Sequence, residues 1–207
     1  MGIDLWTIER AVMAKGYTRI AGVDEAGRGP LAGPVVSAAV ILPPTFNSPE
    51  VNDSKQLSER QRERLFDLIQ AEAETVGVGL IEAAEIDGIN IFQAARRSMA
   101  MAVANLTVPP DYLLIDGKFG IPSDLPQEAI IKGDSRSISI AAASIIAKVT
   151  RDRLMLDYHD AFPQYGFDRH KGYPTKAHKE AVARHGPSAI HRLTFRGVKE
   201  HLAGGTP

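Results

Sequence analysis

Asp24 and Glu25 stand side by side at the end of an apolar run, and Gly27-Arg28-Gly29 follows at once. Acidic residues are poor strand formers, and two of them closing a core strand call for a cation to neutralise them. The glycines let the backbone approach a ligand closely, and Arg28 adds one fixed positive charge. The chemistry on offer is a carboxylate-held metal beside a loop that could hold a phosphate or a sugar. A surface turn would use the same residue types for their turn geometry, so this stretch alone does not decide. Asp116 closes a second apolar run, Tyr112 to Asp116, and Asp134 follows Gly133 just past a third. The chain has no cysteine, which removes disulfides and thiolate metal sites. Clustered carboxylates then favour hard ions such as Mg²⁺ or Mn²⁺. Four converging carboxylates would repel one another without a cation. Two divalent ions about 4 Å apart would make them an in-line phosphoryl-transfer site, one ion activating water and the other stabilising the leaving oxygen.

These side chains must be positioned by the elements around them. Strands are expected at Arg19 to Asp24, Val35 to Leu42, Thr75 to Ile81, Tyr112 to Asp116 and Ala129 to Lys132. Helices are expected from Asp4 to Lys15, closed by Gly16, and after the capping box of Ser58 and Gln61. Further helices are expected at Ile91 to Leu106, Ile138 to Tyr158 and Thr175 to His185. A three-strand opening followed by alternating helix and strand predicts a mixed sheet with helices on its faces. In such sheets, ligand sites gather at the carboxyl ends of strands, where Asp24, Asp116 and Asp134 fall. Glu25, one residue on from Asp24, points the other way in a regular strand, so it joins the site only if the chain bends there.

At 207 residues the chain is long enough for a real core, and its 44% hydrophobic and 24% charged residues are ordinary for a globular protein. No signal peptide and no membrane-length apolar run is present, so a cytoplasmic protein is expected. The net charge of −1 hides an asymmetry: Met1 to Ile131 carries −7, whereas Lys132 to Pro207 carries +6 and all six histidines. A basic second part suits a polyanion.

Taken together, the segments resemble the type 2 ribonucleases H, and within them the bacterial HII group. The residues that carry this are D-E-A-G-R-G-P-L-A-G-P-V-V at Asp24 to Val36, N-D-S-K-Q-L at Asn52 to Leu57, and L-L-I-D-G at Leu113 to Gly117. K-G-D at Lys132 to Asp134, the run from Ser139 to Asp152, H-K-G-Y-P-T at His170 to Thr175 and I-H-R-L-T-F at Ile190 to Phe195 complete it. The resemblance implies an α/β ribonuclease H-like fold, a five-stranded mixed sheet flanked by helices with a C-terminal helical extension. It divides the chain into an N-terminal helix (1–17) and a nuclease domain (18–207), with a core to about 155 and a basic extension beyond. Asp24, Glu25, Asp116 and Asp134 match the family's catalytic, metal-binding carboxylates, with two Mg²⁺ or Mn²⁺ ions expected alongside substrate. The implied reaction hydrolyses RNA in RNA–DNA hybrids and cuts on the 5′ side of single ribonucleotides in duplex DNA, leaving 3′-hydroxyl and 5′-phosphate ends. Such an enzyme serves DNA replication and ribonucleotide excision repair. Gly27, Arg28 and Gly29 match the ribose-reading loop, since only the 2′-hydroxyl separates RNA from DNA at one nucleotide. Tyr173 matches the tyrosine that works with that loop. Lys55 and Lys148 are assigned to backbone phosphates, and His170, His178 and His191 to the basic surface without a catalytic role.

Three other readings compete. A hybrid-only nuclease of the HIII type would carry an added N-terminal domain, and the 23 residues before Asp24 are too few for one. A small-molecule phosphoesterase would not need the basic C-terminal third. A non-catalytic hybrid-binding module would place idle carboxylates beside phosphates, which weakens binding unless metal intervenes. A monomer without membrane contact is expected, with Ala203 to Pro207 as a loose tail. Contact with a replication clamp fits the family's setting, but no residues here establish it.

Overall fold

The apolar runs pair into one mixed sheet made of β1 (Ile20–Ala26), β2 (Val35–Ile41), β3 (Thr75–Ile81), β4 (Tyr112–Asp116) and β5 (Gln127–Ile130). The computed structural model describes residues 4–202, so the expected tail from Ala203 to Pro207 lies outside the described residues. The strand order is β3-β2-β1-β4-β5, antiparallel between β1, β2 and β3 and parallel between β1, β4 and β5. The helices are α1 (Thr7–Met13), α2 (Glu59–Glu72), α3 (Ala83–Ile89), α4 (Ile91–Ala104), α5 (Ile138–Ala161), α6 (Phe167–His170) and α7 (Lys176–His185). The capping box at Ser58 forms with both reciprocal bonds. β3 and β4 have the limits expected from the sequence. β1 runs two residues past its expected end, because Glu25 and Ala26 still pair with Ser37 and Val36. β5 starts and stops two residues early: Lys132 is left-handed at φ 55°, a conformation that ends extended backbone. α3 was not expected. It is a short helix of seven residues, about two turns, that buries Ala83 and Ile86 before Asn90, at φ 69°, redirects the chain into α4.

Two helices cover the two faces of the sheet. On one face, Met99 and Ala102 of α4 pack with Ala21, Val23, Ala39 and Ile41. On the other lies α5, pressed so close that a Cβ on Gly22 would sit 2.1 Å from the Ser139 carbonyl carbon. The first half of α5 is buried on all sides, against the sheet, against Leu65 and Ile69 of α2, and beside Val12 of α1. That explains its Ala- and Ser-rich composition and its lack of a polar stripe. Side chains alternate along β1, so Asp24 falls on the α5 side and Glu25 on the α4 side.

α5 runs through the expected boundary near residue 155, and Met155 packs with Tyr165, Phe167, Val182 and Ile190 from the C-terminal part. Ala32 from the turn between β1 and β2 belongs to that same cluster and bridges to His191. The C-terminal segment is thus built onto the glycine turn. Among the described residues, no helix is long and apolar enough to cross a membrane.

Candidate active site

The floor of the site is the carboxyl end of β1 and β4. Val23 pairs with Ile115, so Asp24 and Asp116 stand one position further along neighbouring parallel strands, facing the same way. Asp24 is 4% exposed, and its Oδ1 accepts the Glu25 N–H at 2.7 Å. Asp116 Oδ1 accepts the Gly133 N–H at 2.7 Å, which ties β4 to the single 3-10 turn that carries Asp134. Asp134, 6% exposed, accepts Lys55 Nζ at 3.0 Å. Burial, with Glu25 and Asp116 adding like charge, pushes the Asp24 carboxyl well above the usual range. Burial also raises Asp116 and lifts Glu25 to about 7, although Arg28 at 3.2 Å works against the latter shift. On Lys55, burial opposes the charge, but Asp134, Asp24 and Asp53 outweigh it and hold the ammonium firmly protonated.

The chain does not bend at Glu25. The β1–β2 pairing stays regular through Ala26, and Glu25 remains on the α4 side of the strand. It reaches the same pocket regardless, because the sheet ends here and a glutamate is long enough to come round its edge; it forms the wall between the main pocket and a shallow notch beside α4.

Gly27, Arg28 and Gly29 form the opposite wall, and two buried arginines hold them there. Arg192, fully buried, uses all five of its N–H donors on four carbonyls: Gly27, Arg28, Pro30 and, twice, Gly33. Arg151, equally buried, donates to the carbonyls of Ala32, Pro34 and Lys171 at 3.0–3.1 Å. The Arg192 N–H takes the Leu31 carbonyl as well. The turn from Gly27 to Pro34 therefore has its carbonyls pinned, while the N–H groups of Gly27, Arg28 and Gly29 find no acceptor among the described residues. Gly27 sits at φ 100°, and a Cβ there would strike the Arg151 side chain at 2.2 Å, so two constraints require glycine. Burial and the neighbouring Arg151 lower Arg192 to about 9, which still leaves it charged at neutral pH. Sequence reasoning missed both arginines as site-builders. Arg151 lies in the run from Ser139 to Asp152 and Arg192 in I-H-R-L-T-F, and nothing in either segment distinguishes a buried guanidinium from a solvated one. The positive second part is correspondingly less available to a polyanion than its count suggests.

Tyr173 is 40% exposed, and its ring lies beside Gly29, with Lys148 and Arg151 each 5.8 Å from its centroid. Lys148 and Lys55 both line the pocket. Lys148 is paired with Asp152 at 2.6 Å, and burial lowers its pKa. The histidines correct an expectation: His178 and His191 are 0% and 2% exposed and do not belong to any basic surface. Ser188 N–H donates to His191 Nδ1 (2.9 Å), the two Nε2 atoms are 3.0 Å apart, and His178 Nδ1 faces the Tyr173 carbonyl at 3.0 Å. Since a carbonyl only accepts, His178 carries its proton on Nδ1, and His191 must donate from Nε2. Burial first, then mutual repulsion with neighbouring rings, lowers both to about 4, so they are neutral struts for the Tyr173 backbone. His170 stacks on His178 at 4.5 Å and takes the Gly172 N–H.

One pocket thus gathers Asp24, Glu25 and Asp116 on its floor, the glycine turn and Tyr173 on one wall, and Lys55 and Lys148 on another. Asp134 stands behind Lys55 rather than in the wall. Among the described residues, no three His, Asp or Glu side chains are gathered closely enough to enclose an ion unaided. The donor set nevertheless fits a hard divalent cation, because Mg²⁺ is commonly held by one or two carboxylates and completes its shell with water and substrate oxygens. The Lys55 ammonium on Asp134 is a cation in the same negative field.

The ribonuclease HII family model covers residues 21–198. A ribonuclease HII from Geobacter metallireducens is 62% identical over 199 residues, covering 96% of this chain and 93% of its own. The crystal structure of ribonuclease H2 from Pyrococcus horikoshii superposes with a TM-score of 0.75 at 28% identity, covering 88% of this chain and 96% of its own. The ribonuclease HII in the PCNA complex from Archaeoglobus fulgidus gives 0.72 at 27% identity, covering 86% and 96%. The family model spans most of the chain and the relatives match along nearly their whole length, and the chain belongs to the ribonuclease HII family.

Proposed function

We propose that this protein hydrolyses the RNA strand of RNA–DNA hybrids and cuts on the 5′ side of single ribonucleotides in duplex DNA, leaving 3′-hydroxyl and 5′-phosphate ends. The observation that carries this reading is one pocket lined by two kinds of wall: carboxylates on adjacent strand ends, and a glycine turn with free N–H groups whose Gly29 lies beside the Tyr173 ring. Asp24, Glu25, Asp116 and Asp134 would hold the divalent metal, Mg²⁺ or Mn²⁺, which when bound supplies charge neutralisation and an activated water.

The chain's own residues do the rest. Asp24 and Asp116, rigid on their ladder, fix where the phosphodiester is attacked. Gly27 to Gly29 present bare backbone to the 2′-oxygen, which DNA lacks. Tyr173 packs its ring against the neighbouring sugar and turns its hydroxyl to the same oxygen. Lys55 leaves Asp134 for a backbone phosphate, and Lys148, nearer the tyrosine, takes another. His170, His178 and His191 touch no reacting atom. The reading includes the division into an N-terminal helix and a nuclease domain, work as a cytoplasmic monomer, and a place in replication and ribonucleotide repair.

The test is cleavage of a labelled DNA duplex containing one ribonucleotide, in Mg²⁺, in Mn²⁺ and in chelator, beside an all-DNA duplex. Metal-dependent cutting on the 5′ side of the ribonucleotide alone is expected. Cutting of long hybrids without cutting of the single ribonucleotide would remove the ribose-reading role, and no cutting with either metal would refute the activity.

A further inference from the structure

Beyond Glu25, on the α4 side of the sheet, lies a patch that the proposed activity does not use. Phe119 is 61% exposed, and the ring of Phe92 meets it edge-on at 5.4 Å. An exposed aromatic on a floppy loop would mean little, but this one is braced. Arg96 Nε donates to the Gly120 carbonyl at 2.8 Å, with its guanidinium 5.6 Å from the Phe92 ring. The Gln127 side chain bonds Ile121 N–H and the carbonyls of Ile121 and Ser123, and Ile121 itself is buried in the core. The turn after Asp116 is therefore clamped on its far side while Phe119 is held out to solvent.

Two features indicate what it meets. The notch beside it shares Glu25, Arg28 and Asp116 with the main pocket, so the patch continues the same cleft past the carboxylates, away from Tyr173. Its other polar lining is cationic, Arg96 and Lys118. Aromatic faces flanked by cations suit a nucleic acid backbone, in which each sugar offers an apolar face between charged phosphates.

We propose that Phe119, supported by Phe92, is a stacking platform for a nucleotide of the bound duplex on the opposite side of the scissile position from Tyr173. This rests on the proposed nuclease reading. Tyr173 and Phe119 then bracket the carboxylates, and Lys118 and Arg96 face the adjoining phosphates.

The experiment compares the unaltered protein with Phe119→Ala and Phe119→Trp in steady-state cleavage of single-ribonucleotide duplexes, full-length or shortened from either end. Because Phe119 is exposed, its removal leaves folding intact, which a melting curve verifies. The expected result on the long duplex is a KM raised about fivefold or more by Phe119→Ala, the scale of one lost base–aromatic stack, with kcat little changed. Phe119→Trp restores it. Shortening one end, and only that end, erases the difference between the proteins. Equal KM values on the long duplex, or a deficit that persists whichever end is shortened, would overturn the platform while leaving the nuclease reading intact. If the unaltered protein cuts no ribonucleotide-containing duplex, the nuclease reading falls and takes the platform with it.

Discussion

The two walls of the pocket are held by opposite means. The carboxylate floor is an extension of the sheet: Asp24 sits within a ladder that stays regular through Ala26, and Asp116 is one step beyond the last β1–β4 pair while itself pairing with Ile130 of β5. The glycine turn has no comparable ladder, only the Ala32–His191 bridge, and owes its shape to Arg151 and Arg192 reaching in from the C-terminal half. The floor costs little to position but much to charge, since its carboxyls are pushed towards neutrality by burial. The turn is electrically mild but needs six of its carbonyls gathered by two guanidinium groups. Chemistry and substrate reading thus depend on different parts of the chain and should fail separately.

The largest effect should come from the floor. Asp24→Asn or Asp116→Asn is expected to lower kcat by roughly two to three orders of magnitude, the scale of losing one electrostatic stabiliser. Hybrid binding should survive or improve as like charge is removed, and a gel-shift alongside the cleavage assay checks both. Full activity in both variants would dissolve the distinction between the walls. Next comes Arg192→Ala, which orphans carbonyls and should cost about 3 kcal/mol in urea-melt stability. Arg192→Lys should fare little better, because an ammonium has three donors and cannot hold four carbonyls in the plane of a fork. In both variants the cutting of single ribonucleotides should fall further than the cutting of long hybrids; equal losses would mean that the turn is mere scaffold.

The histidine struts give a smaller effect, on stability. Their folded pKa values of about 4 lie below the unfolded value of about 6.5, so the unfolded chain binds more protons between the two. Their contribution is fully present above about pH 6.5 and is lost as pH falls towards 4. From pH 7 to pH 5.5 this amounts to about 1 kcal/mol per histidine. Thermal melts at the two pH values check it, and a His178→Gln, His191→Gln double variant should flatten the slope. Smallest is Tyr173→Ala, expected to slow cutting at a single ribonucleotide about tenfold, the scale of one stacked ring. An unaffected rate would reduce Tyr173 to a loop anchor.

Much of this was legible in the chain. The sheet with its α5 cover, the four carboxylates and the glycine turn are local patterns, since an apolar run, a capping box or a glycine pair signals within a few residues. Glu25 was half legible: its direction followed from strand alternation, but its access to the pocket required knowing that the sheet ends there. α3 was missed because seven residues give too little periodicity. Arg151, Arg192, His178 and His191 could not be assigned from sequence, because a charged or titratable side chain looks the same whether it faces solvent or a buried carbonyl.

By itself, then, the sequence determined the five strands and the longer helices, the carboxylates that follow the apolar runs and the family to which they point. Only the tertiary structure decided which cations are free to meet a substrate and which are spent inside, because the glycine-turn carbonyls that the two guanidinium groups hold lie 117 to 165 residues away along the chain. It also decided that Phe119 is held outward beside the cleft, since its braces come from α4 and β5 rather than from its own loop.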